Sequence, residues 1–158
     1  MKVMLCYASK RKINDDENLL EDIIDILTLA RKFNQENEIY GVLYYADNAF
    51  FQCLEGEQST IESLYRNIEK DIRHHCVKRL CIIEIEKFRF KKWSMKYVEK
   101  DSMIDHYFKE NGIEKFDPQK LDLHHLSNFI ETLITVNQTN RKNRTRTGFN
   151  NRGITPFL

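Results

Sequence analysis

Two apolar runs, Gly41–Tyr45 and Ala49–Glu55, are separated by the pair Asp47-Asn48. The pair is a tight-turn signal, weaker than Asp-Gly but of the same kind, so the runs read as the two strands of a hairpin. Their residues are apolar at successive positions, not only at alternate ones. A strand of this kind is buried on both faces, so any sheet containing the hairpin needs cover on each side.

One residue breaks the second run. Gln52 lies within Phe50-Phe51-Gln52-Cys53-Leu54. An unpartnered buried amide costs about 1–3 kcal/mol. Glutamine presents a donor and an acceptor on one rotatable group, so a buried one is expected to face specific partners.

The rest of the chain supplies a sheet and two layers of helix. Residues 2–9 read as a strand with Val3, Leu5 and Tyr7 on one face. Asn14-Asp15-Asp16 offers helix-capping groups before a helix over about 17–34. Its apolar stripe is Leu20, Ile23, Leu27 and Ala30, with a second flank of Leu19, Ile26 and Phe33 expected to touch something else. Gly56 is expected to end the second hairpin strand. Ile61, Leu64, Tyr65 and Ile68 recur at helical spacing, giving a helix over about 58–70. Residues 77–86 read as a fourth strand and 88–98 as a short fifth strand or edge segment that holds Trp93-Ser94-Met95. The order is that of an α+β, ferredoxin-like βαββαββ fold: a mixed five-stranded sheet with two helices on one face. Helices over about 100–112 and 118–136 are expected to cap the other face. The predicted divisions are residues 1–98, a helical cap over 99–136, and a flexible tail over 137–158.

Charge separates that tail from the rest. No acidic residue follows Glu131, whereas Arg141, Lys142, Arg144, Arg146 and Arg152 are basic. Without those five, 20 basic residues stand against 24 acidic ones, a net −4. The tail reads as solvated and disordered. No signal peptide and no apolar run near 18 residues is present, which predicts a cytoplasmic protein that does not cross a membrane. None of Cys6, Cys53, Cys76 and Cys81 forms a CxxC pair, and three lie in strand-like runs. They read as buried, reduced thiols. The pairs His74-His75 and His124-His125 do not share a helix face, so no metal site is predicted.

In this fold the first and third strands are central neighbours. Tyr7 and Gln52 can then meet on the helix side, with Asn34 at the end of the first helix adding a second amide. The result is an apolar cleft with a few convergent polar groups, the usual description of a ligand site. Each residue also has a structural reading. Tyr7 can donate to a backbone carbonyl, Asn34 can close its helix in a left-handed conformation, and Gln52 can bridge backbone groups at a bulge.

Five segments narrow the choice: Leu5-Cys6-Tyr7-Ala8-Ser9, Asn34 five residues before Ile39 with Gly41 after it, Phe50-Phe51-Gln52-Cys53-Leu54-Glu55-Gly56, Asp71-Ile72-Arg73-His74, and Trp93-Ser94-Met95. In order and spacing they resemble BLUF domains, blue-light receptors that bind a flavin, over about residues 1–98. The resemblance implies FAD, with FMN or riboflavin as alternatives, lying between the two helices. It implies contacts from Tyr7, Ser9, Asn34, Gln52 and Met95, with Ile26 in the apolar wall. Arg73 and His74 would sit near the mouth, with His74 beneath the ring. Asp71 would lie on the ribityl or phosphate side. Asn67 stands where many family members carry Lys or Arg. Tyr7, Gln52, Trp93 and Met95 would form the photoswitch: Tyr7 gives an electron and a proton, and Gln52 rotates or tautomerises.

The resemblance implies no enzyme activity. The output would pass to a separate signalling protein such as a transcription regulator, from a monomer or weak homo-oligomer. Direct nucleic-acid binding is not expected. The competing reading is a ferredoxin-like RNA- or protein-binding module without photochemistry, with Tyr44, Tyr45, Phe50 and Phe51 as stacking residues. A flavin enzyme would need a nucleophile or acid–base pair near the cleft, and the sequence offers none there.

Overall fold

The structure, a computed structural model, describes residues 1–12 and 19–139. The capping groups Asn14, Asp15 and Asp16, and the five basic tail residues, lie outside that range.

The strands are β1 (Lys2–Arg11), β2 (Tyr40–Ala46), β3 (Ala49–Glu57), β4 (His74–Glu84) and β5 (Lys96–Glu99). The helices are α1 (Leu19–Glu36), α2 (Gln58–Ile68), α3 (Ser102–Glu110) and α4 (Leu123–Thr135), with a short 3-10 turn at Pro118–Lys120. The sheet order is β4-β1-β3-β2-β5. All neighbours are antiparallel except β2 and β5, which are parallel. This is the ferredoxin-like order with one strand added beside β2.

The hairpin fixes the register. Asp47 and Asn48 both have positive φ, 49° and 58°, the signature of the tight turn whose twist matches its strands. Ala46 therefore pairs with Ala49 and Leu43 with Gln52. Gly41 allows β2 and β3 to close, since a Cβ there would lie 2.2 Å from the Cys53 carbonyl oxygen. Gly56 does not end β3, which continues to Glu57 and pairs Gly56 with Val3.

Each sheet face has its own core. On one, Val3, Leu5, Tyr7, Phe50 and Leu54 meet Ile23, Ile26, Leu27 and Ala30 of α1 and Ile61, Leu64 and Ile68 of α2. Both flanks of α1 serve this single core, with Leu19 and Phe33 packed at its margin. Leu20 is 43% exposed, since it falls outside the inward arc. On the other face, Met4, Cys6, Phe51 and Cys53 meet Ile104 and Phe108 of α3 and Phe129, Ile130 and Leu133 of α4. Helix starts are capped by Asp101, which accepts from the Met103 amide, and by Asp122, which accepts from the His125 amide, each at 2.8 Å. No helix among the described residues is long and apolar enough to cross a membrane. Cys76 is exposed at a positive-φ position in β4, unlike the other three cysteines.

Candidate photoswitch and cofactor site

Strand register places Tyr7 directly opposite Gln52. Both point to the α1/α2 side, where Tyr7 is fully buried and Gln52 is 1% exposed. The Tyr7 hydroxyl donates to Gln52 Oε1 at 2.6 Å. Burial, aided by the nearby Asp71 and Tyr65, raises the Tyr7 pKa well above its ordinary value. The phenol is therefore neutral and acts as a donor.

The other end of the amide meets Met95. Gln52 Nε2 donates to Met95 Sδ at 3.6 Å, a weak acceptor. Met95 is buried on this face, yet it lies before β5 and not within it. Two α1 side chains hold the same segment. Asn34 Nδ2 donates to the Ser94 carbonyl at 2.7 Å, and Arg31 Nε donates to the Met95 carbonyl at 3.1 Å. Asn34 does not close the helix: α1 runs on to Glu36, and the left-handed residue is Glu38. Asn34 is inward-facing and buried instead.

His74 forms the far wall. Its Nε2 donates to the Ile68 carbonyl at 2.7 Å, which leaves Nδ1 to accept from Ser9 Oγ at 2.9 Å. Burial lowers the His74 pKa, in keeping with this neutral tautomer. The Tyr7 ring lies 5.7 Å from Tyr65 and 6.3 Å from His74, centroid to centroid. Asp71 accepts from the Arg73 amide at 2.9 Å and pairs with its guanidinium through both oxygens. Ile26 is buried in the α1 wall, and Asn67 is half-buried on α2.

Trp93 stands apart. It is half-buried among the residues of the α3/α4 face, 6.3 Å from Phe90. Lys96 Nζ lies 4.3 Å above its ring and donates to the Ile134 carbonyl at 3.0 Å. Met95 is thus the residue beside Gln52, and Trp93 is on the opposite side of the sheet. Arg31 and Lys96 were missed by sequence reasoning. Arg31 had a signal, since it falls one turn before Asn34 on the same helix face. Lys96 had none, because a lysine next to a short edge strand reads as solvated.

The unfilled hydrogen-bonding capacity tests the fit of a flavin. Gln52 Nε2 has two N–H groups, and among the described residues only the thioether receives one. Asn34 Oδ1 takes no donor among the described residues. An open amide donor on β3 and an open amide acceptor on α1, each bonded to the Ser94–Met95 segment, complement the edge of a flavin ring, which carries carbonyl oxygens and an imide N–H. The residues fit the group. The proposed RNA-stacking residues do not fit their role: Tyr44, Tyr45, Phe50 and Phe51 are at most 8% exposed.

Comparison with known proteins agrees with this geometry. Residues 3–96 match the BLUF family, described as sensors of blue-light using FAD. The blue light- and temperature-regulated antirepressor BluF of Escherichia coli (strain K12) is 30% identical over 121 residues. That match takes in 73% of this chain but only 29% of BluF. The photo-activated state of BlsA superposes with a TM-score of 0.86 at 49% identity, covering 89% of this chain and all of BlsA. The BlsA ground state gives 0.85 at the same identity, with 92% of that chain covered. A bacterial light-regulated adenylyl cyclase matches at 33% identity and a TM-score of 0.60, over 71% of this chain and 32% of the cyclase. With its family segments intact and its Tyr–Gln pair formed, the chain belongs to the BLUF family of blue-light sensors that use FAD.

Proposed function

We propose that Tyr7, Gln52 and Met95 are the light switch of this protein and that the segment from Ser94 to Lys96 is its output. The observation that carries this reading is the buried 2.6 Å hydrogen bond from Tyr7 to an amide whose other end has an open donor. Bound FAD supplies blue absorption and an excited state that accepts an electron. Its raised pKa keeps Tyr7 a neutral phenol, so the group that would give up an electron still carries its proton. Gln52 Oε1 already accepts from that hydroxyl and receives the proton without prior movement. Turning the amide over would set Nε2 against Tyr7 and Oε1 against Met95 Sδ, two acceptors facing each other. A tautomer carrying its proton on Oε1 removes that repulsion, because the oxygen becomes a donor.

Asn34, with Ser9, Ile26, Asn67, Asp71, Arg73 and His74, would hold the cofactor. Asn34 supplies the open acceptor and Asp71–Arg73 a charged pair at the mouth. One exchanged hydrogen bond contributes about 0.5–1.5 kcal/mol, close to the roughly 1–3 kcal/mol of an ordinary allosteric coupling. The change reaches α4 through Lys96, which joins the Trp93 ring to the Ile134 carbonyl. The β5 edge also holds Thr139, whose amide donates to the Tyr97 carbonyl at 2.8 Å. The receiver is a separate regulator, in line with the antirepressor role named for BluF. The protein itself is not an enzyme, and its four free thiols suit the reducing cytoplasm.

Purified protein should be yellow, and blue light should shift its flavin band slightly to the red. Lys96→Met should keep that shift but lose the light-dependent change in hydrogen exchange over α4. Colourless protein, or a flavin band unmoved by light, would contradict the proposal.

A further inference from the structure

Three thiols lie in a row across three strands on the α3/α4 face. Register pairs Cys6 with Cys53 on β3 and with Cys81 on β4. Directly opposed residues of antiparallel strands have Cα atoms about 4.5–5.5 Å apart, inside the roughly 4.4–6.8 Å that a disulfide spans. The three differ in access. Cys6 and Cys53 are fully buried, whereas Cys81 is half-buried on the edge strand. A hydrogen bond from the Cys6 thiol lowers the Cys81 pKa to about 7, while hydrogen bonding with Cys53 and then with Cys81, together with burial, raises that of Cys6. Reactivity toward peroxides follows thiolate character and exposure together. The β1–β4 register shifts immediately after Cys6, next to Tyr7.

We propose that Cys81 is a peroxide-reactive thiol and that Cys6 resolves it, closing a disulfide between β1 and β4. The Cys81 thiolate attacks one oxygen of hydrogen peroxide. The O–O bond breaks, leaving a sulfenic acid on Cys81 and releasing hydroxide. The Cys6 sulfur then attacks the Cys81 sulfur and displaces the second hydroxide, and the Cys6 proton completes a water molecule. Two thiols are oxidised, one peroxide is reduced, and the backbone keeps its register. Cys53 takes no part, since it borders Cys6 and not the accessible sulfur. This site is independent of the light-sensing reading.

The test treats full-length, flavin-loaded protein with hydrogen peroxide in the dark, blocks remaining thiols and maps disulfide-linked peptides by mass spectrometry. A Cys6–Cys81 linkage is expected in the wild type, in Cys53→Ser and in Cys76→Ser. It should be absent in Cys81→Ser, and Cys6→Ser should carry Cys81 onward to a sulfinic acid. The unmodified wild-type chain decides the matter even if a variant fails to fold. Oxidation confined to Cys76, or a Cys6–Cys53 linkage with Cys81 reduced, overturns the proposal.

Discussion

The two faces of the sheet are built from the same strands to opposite ends. The α1/α2 face carries Tyr7, Ser9, Asn34, Gln52 and His74 among its apolar residues. The α3/α4 face is an aromatic cluster in which Phe129 meets Tyr44, Phe51 and Phe108 at ring centroid distances of 5.5, 4.9 and 5.0 Å. Its buried charges hold backbone. Glu55 Oε2 accepts from the amides of Arg89 and Phe90 at 2.8 and 3.0 Å, and Lys96 holds the end of α4. Buried polar groups are costly unless paired and can be paired in more than one way, whereas close-packed rings have one good arrangement. The first face can therefore switch while the aromatic cluster of the second holds the sheet, with Lys96 as the link from the Ser94–Lys96 segment to the end of α4.

The comparison breaks most directly at Phe129. Phe129→Ala should cost about 3–5 kcal/mol of stability, read from chemical denaturation. The light-induced spectral shift of the remaining folded protein should be unchanged, because stability and switching are on opposite faces. Asn34→Ala acts on the other side. It leaves the Ser94 carbonyl without its donor and removes the open acceptor, a loss of about 1–3 kcal/mol. The flavin Kd should rise roughly tenfold, so that free-flavin fluorescence returns on dilution at a roughly tenfold higher protein concentration than in the wild type. Stability without flavin should fall less than in Phe129→Ala.

Sequence showed the two-faced sheet well. The hairpin, the doubly apolar strands and the period-two placement of Tyr7 and Gln52 are local patterns, and register turns them into a contact. What it could not show depends on long-range packing. Leu20 and Leu19 exchange roles because one residue of phase on a helix decides which faces the core. Trp93 and Met95 part to opposite faces because the chain turns before β5, where no period applies. Lys96 is buried only because the α4 carbonyl and the Trp93 ring are brought to it by residues far along the chain.

The smallest predicted effect is in pH. Burial lowers the folded-state pKa of His74 below the ordinary 6.5. Protons therefore bind the unfolded chain more readily. The neutral arrangement with Ser9 and Ile68 contributes fully above pH 6.5 and is lost as pH falls toward the lower folded-state value. His74→Gln should flatten the acid side of the stability profile, measured by thermal unfolding across that interval. Phe129→Ala should lower the whole profile without changing its slope.

On the proposed mechanism, light rearranges the Tyr7–Gln52 hydrogen bond. The most direct measurement is the light-minus-dark absorption spectrum of Gln52→Leu beside the wild type. Leucine keeps the volume and removes both ends of the amide. The variant should retain its flavin and show no red shift, with the wild type shifting under the same illumination. A flavin-loaded Gln52→Leu that shifts like the wild type would contradict it.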